Sequence, residues 1–136
     1  MKLSEKTIYE LHEAVRNLQV DEFNFSEFVD RLAEIHVASC HADYFREEIT
    51  LYLAQGGSRV VSAINETFPK PTEFSAKELE AAICLRCQGQ LTYPKFVTAT
   101  IAAGCIGYFL DVSAKVVLYL GFRGAYYVEN FRTAAP

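Results

Sequence analysis

At 136 residues, with 51% apolar and 22% charged side chains, the chain has ordinary globular usage and enough length for one domain with a sizeable core. A net charge of -4 gives no broad cationic field for phosphate backbones, so no nucleic-acid partner is expected. The start, MKLSEKTIYELHEAV, is charged where a signal peptide would be apolar, and the most apolar run, Val97 to Leu110, is shorter than the ~20 residues that cross a bilayer. No membrane association is expected, and the four cysteines are read as reduced thiols of a cytoplasmic protein.

In chain order, Ser4 in LSEKTI is the first helix start, with Leu3 placed to meet Ile8. Ile8, Leu11, Val15 and Leu18 then recur at helical spacing. FNFSEF opens a second helix, with Asn24 and Glu27 as cap and box partner and Phe23 and Phe28 as hydrophobic staple. Its apolar stripe is Phe28, Leu32 and Ile35. After His36, VASCHADYF, ITLYLA and RVVSAI are β-branched or aromatic runs between glycine signals, which predicts three short strands. Pro69 and Pro71 in FPKPTE mark a linker. FSAKEL starts a third helix, with Ser75 and Glu78 at capping-box spacing and Phe74 and Leu79 as staple, and LTYPKF a fourth, capped by Thr92 with Leu91 and Phe96 as staple. CIGYFLDV, KVVLYL and AYYVEN complete the chain as strands, with a turn at Arg123-Gly124.

The two halves have the same order. Phe23, Asn24 and Phe28 stand 68 positions before Leu91, Thr92 and Phe96, and LYLAQGG at 51–57 recurs as LYLGFRG at 118–124, 67 positions on. The expected fold is therefore α+β: a tandem duplication of a helix-helix-three-strand unit, about 3–66 and 74–130, in a single domain. Helices would cover one face of an antiparallel sheet, each unit shielding the apolar face that the other leaves bare. Residues 131–136 are expected to form a flexible tail.

Residues able to do chemistry are few. Cys84 and Cys87 in CLRC share one side of a helix and are weak candidates for one edge of a zinc site; the stronger reading is that they are small core residues. HVASCHADYF gathers His36, Cys40, His41 and Asp43, but strand alternation sends Cys40 and His41 to opposite faces, which argues against a Cys–His pair. AQGGS lacks the lysine of a phosphate-binding loop, and Glu47 and Glu48 belong to a charged turn. No catalytic residue, resident metal or cofactor is expected. The tyrosines are more suggestive, because they are numerous on the strands and alternation must send some to a face without helices. Tyr44, Tyr52, Tyr119 and Tyr126 are the candidates for a binding surface, and Tyr126 and Tyr127, being adjacent, should face opposite ways.

Gly89, Tyr93, Phe96, Gly104, Asp111, Tyr119 and Gly124 together resemble the C-terminal signature of the YdfO-like family, uncharacterised bacterial and prophage proteins grouped as domain of unknown function 1398. Tyr108 departs from the tryptophan that members of that family often carry. The resemblance implies a duplicated α+β domain of mobile-element origin, and no activity. Local rules also account for the signature residues. Gly104 stands at a helix stop, Gly124 in a turn that needs positive φ, and Asp111 where a carboxylate can accept backbone N–H groups. The expected function is a non-catalytic interaction or regulatory protein, acting on a protein partner or by self-association through the tyrosine-bearing sheet face or a sheet edge. The alternative is a ligand-binding protein or enzyme using a cleft between the two units, which converging His41, Asp43 or Cys84 side chains would mark.

Overall fold

The computed structural model describes residues 2–131. Their elements run α1 (Glu5–Gln19), α2 (Phe25–Glu34), β1 (Val37–Asp43), β2 (Glu48–Leu53), β3 (Ser58–Ser62), α3 (Ala76–Cys87), α4 (Tyr93–Ala102), β4 (Cys105–Asp111), β5 (Val116–Gly121) and β6 (Tyr126–Asn130), with a single 3₁₀ turn at Phe122–Gly124. The fold is α+β, and helix-helix-strand-strand-strand occurs twice along the chain.

Each helix begins at the cap read from the sequence. Ser4 and Ser75 accept from the backbone N–H of Thr7 and Glu78, each at 3.1 Å, and Thr92 accepts from that of Lys95 at 3.4 Å. Asn24 and Glu27 form the full reciprocal box, at 2.8 and 2.9 Å. At Ser75 the box is not closed in the expected way: its backbone N–H donates to Ala103 O at 2.8 Å, so the linker is pinned to the end of α4 instead. The second helix of each half ends with a left-handed residue, His36 at φ 63° and Gly104 at φ 102°, 68 positions apart.

All six strands form one antiparallel sheet in the order β3-β2-β1-β4-β5-β6. The halves therefore meet at β1 and β4 in the middle, and β3 and β6 are the edges. Helices pack on the sheet: α1 on β3, α2 on β1 and α4 on β4, while Glu80 of α3 reaches Tyr127 on β6. Beneath them, the register aligns Val61, Ile49, Ala42, Tyr108, Tyr119 and Tyr127 in one row across all six strands. One continuous core holds buried residues of both halves.

The linker comes close to the second half. A Cβ on Gly104 would lie 2.8 Å from Phe74 Cα and 2.9 Å from Glu73 O, so glycine serves both the helix stop and the passage of the linker. Near the C-terminus Phe131, expected in the tail, donates its N–H to Lys115 O at 3.1 Å and sets its ring 5.6 Å from that of Phe25. Residues 132–136 of that expected tail lie outside the described residues.

Candidate functional site

The helices lie over one face of the sheet, and the other face is built by alternation. Its central row runs Val60, Thr50, His41, Phe109, Leu118, Val128 from edge to edge. The flanking rows are Ser62, Glu48, Asp43, Gly107, Leu120, Tyr126 and Ser58, Tyr52, Ser39, Asp111, Val116, Asn130. The two halves of this face differ in chemistry. On β1–β3 it is mostly polar, whereas on β4–β6 it carries Phe109, Val116, Leu118, Leu120, Tyr126 and Val128. Tyr126 is 67% exposed and Val128 52%.

Two aromatic contacts extend the apolar surface toward β1. The His41 and Phe109 rings stack at 4.2 Å with 7° between their planes, in the middle of the sheet. Phe45, in the β1–β2 turn, and Phe122, in the turn after β5, meet edge-on at 5.8 Å. Asp111 is the one charged residue at the nine outward register positions of β4–β6. Its carboxylate accepts from the Ala114 N–H at 2.9 Å, the turn role expected of it. Asp43 does the same on β1, accepting from the N–H groups of Phe45 and Arg46 at 3.0 and 3.2 Å.

The four tyrosines proposed for binding divide between the faces. Tyr52 and Tyr126 stand on the open side and are exposed, and Tyr126 and Tyr127 face opposite ways as alternation requires. Tyr44 and Tyr119 lie in the covered core. The reason for Tyr119 is register. The LYL phrases are 67 residues apart, but the strand pairings are 68 apart: Leu51 pairs with Cys40, and Tyr119 with Tyr108. A one-residue difference on a strand exchanges faces, so Tyr52 points outward while Tyr119 points in, and Leu118 and Leu120 are turned out with it. These leucines, together with Phe109 and Val128, are the surface residues that the tyrosine reading missed. The 68-residue spacing of the helix starts was the signal that could have found them.

Inside, the tyrosines are knitted together. Tyr93 and Tyr108 share a hydroxyl hydrogen bond of 2.7 Å, Tyr44 bonds Thr100 at 2.9 Å, and Tyr119 donates to Glu129 Oε1 at 3.1 Å. Burial pushes the Tyr44, Tyr93, Tyr108 and Tyr119 phenols up from their ordinary value, and the hydrogen bonds to Thr100 and Tyr108 partly oppose this for Tyr44 and Tyr93. Burial likewise raises the Glu129 carboxyl, with the Tyr119 hydrogen bond opposing it. The four phenols are hydrogen-bonded within a packed interior, where burial favours their neutral forms.

The cysteines also divide. Cys40 and Cys105 are core residues, and burial pushes each thiol up to about 12. Cys84 and Cys87 are exposed on α3, which corrects their reading as core residues. The buried positions of α3 are Leu79 and Ala82, with Ile83 and Arg86 half-buried beside them. Helical spacing puts Cys84 on the neighbouring stripe with Glu80, and Gln88 donates to its sulfur at 3.4 Å. Among the described residues no group of three or more His, Cys, Asp or Glu side chains is placed to hold a metal ion. Arg86 turns from between the two cysteines to the helix ends, donating to Asp21 Oδ1 at 2.8 Å and Leu91 O at 2.7 Å. Asp21 also accepts from the Tyr93 N–H at 3.1 Å, so one carboxylate joins the α1–α2 loop to the start of α4.

His41 and Asp43 occupy open-face register positions on β1 and Cys84 lies on α3, so the three do not converge in a cleft. An open hollow of about 660 Å³ separates the linker from the β5–β6 turn, with Glu73 and Arg123 as its charged lining residues. Among the described residues, no helix is long and apolar enough to cross a membrane.

Comparison with known proteins adds one family. Residues 7–130 match the model of a family described as "Protein of unknown function (DUF1398)". No curated protein matches the chain.

Proposed function

Since the chain belongs to the DUF1398 family of proteins of unknown function, we propose from its own surface that it is a non-catalytic interaction protein whose working part is the open face of the sheet. The observation that carries this reading is the contiguous apolar surface on the outer side of β4–β6, centred on Phe109, Leu118 and Val128. An antiparallel sheet with one solvated face ordinarily alternates apolar inside with polar outside, and β1–β3 do so. The departure on β4–β6 leaves apolar area in water unless a protein surface covers it. The signature from Gly89 to Gly124 resembles that of the YdfO-like proteins, which supports an origin in a phage or other mobile element.

Affinity capture from the native cell tests the reading, with tagged wild type compared against Val128→Lys. The wild type should retain a protein, its own untagged copy included, in defined stoichiometry, and the lysine variant should lose it. Identical capture by both would overturn the assignment to this face.

A further inference from the structure

We infer that the protein covering the open face is a second copy of this chain, packed sheet against sheet as a two-fold dimer. This rests on the interaction reading above and commits it to one occupant.

Three observations favour that occupant. The first is charge. The outward positions of β4–β6 hold a single charged residue, Asp111, whose carboxylate is engaged by its own turn. Such a surface offers a charged partner nothing complementary, whereas two copies of it can meet across a two-fold axis with little like-charge repulsion. The second is shape. Phe109, Leu118 and Val128 are side by side in one row of a regular sheet, and two such faces can interdigitate at about 10 Å separation.

The third is area. Six strands about 4.8 Å apart and roughly 18 Å long present on the order of 500 Å² in projection. Side-chain relief brings that toward the ~800 Å² per partner of a standard stable interface. The β4–β6 half supplies the apolar core of such a contact. The polar outer face of β1–β3 supplies its rim, with Thr50, Ser58 and Ser62 beside Asp43, engaged by its own turn, and Glu48, paired with Arg46 at 2.6 Å.

Sedimentation velocity on the full chain, over concentrations up to roughly 100 µM, tests the inference. The wild type should sediment as a dimer that dissociates on dilution. Val128→Lys, at an exposed edge position, should weaken the dimer about tenfold or more, and Leu118→Lys at the centre should weaken it further. Circular dichroism of both variants confirms that the fold is kept; Ala81→Lys, at an exposed position of α3 on the helix side, should leave the dimer in place. A wild type that stays monomeric throughout overturns the second-copy inference. Capture that is lost in Val128→Lys would then leave the interaction reading standing, and capture unchanged by that variant would remove both. A dimer indifferent to both Leu118→Lys and Val128→Lys would also overturn the proposal, because it would form elsewhere on the molecule.

Discussion

Single residues show how this interior uses groups that could otherwise do chemistry. Cys40 sits wholly buried at the centre of the sheet with its thiol pushed up to about 12 by desolvation, so it behaves as a small apolar side chain and not as a nucleophile. The linkage has a definite sign. The thiol's folded value lies above its ordinary 9.0, so its contribution to stability is fully present below pH 9 and is lost as pH rises toward 12. The phenols of Tyr44, Tyr93, Tyr108 and Tyr119 are shifted in the same direction and add to the loss. Urea unfolding should therefore show stability falling between neutral pH and about pH 10.5, with Cys40 alone contributing on the order of 2 kcal/mol. Unchanged stability over that interval would contradict the burial of these groups. Replacing Cys40 with alanine should reduce the slope, at a fixed cost for the small cavity.

At the level of elements, the two left-handed helix stops make a matched pair of opposite predictions. Gly104→Ala puts a Cβ at positive φ and against the backbone of Phe74, so it should destabilise the fold by about 2 kcal/mol or more. His36 has the same kind of conformation at φ 63° but is exposed. There, His36→Gly removes the Cβ penalty and should raise stability by a few tenths to about 1 kcal/mol. Thermal unfolding of the two variants distinguishes them by sign; equal and small effects would show that linker and helix stop are not coupled at Gly104. All four helix starts and all six strands were legible in the sequence, because caps, staples and turn glycines act over three to five residues. What was not legible depended on partners distant in the chain. No local signal says that β1 lies beside β4, that Ser75 donates to Ala103 and not into its own box, or that Phe131 packs on Phe25. The cysteine reading failed for a helical reason: Leu79, Ala82, Ile83 and Arg86 form the inward stripe of α3, which leaves Cys84 and Cys87 in water.

For the whole molecule, the same helix-helix-strand-strand-strand order serves two different surfaces. The covered faces of both halves join in one core, while the open face is polar on one half and apolar on the other. Part of the difference comes from the LYL phrase being one residue out of step with the strand register, which places leucines on the outside of β5 where β2 shows threonine and tyrosine. A reading based on residue type picked out the tyrosines and missed those leucines, because facing is a property of register and not of composition. The central claim, that the outer side of β4–β6 is buried against protein in the working state, meets its most direct test in hydroxyl-radical labelling of side chains at two protein concentrations. Phe109 and Tyr126 should be protected at high concentration and labelled on dilution, with Tyr52 changing much less. Equal labelling of Phe109 and Tyr126 at both concentrations, in the purified protein and in whatever complex it is captured with, would contradict the account.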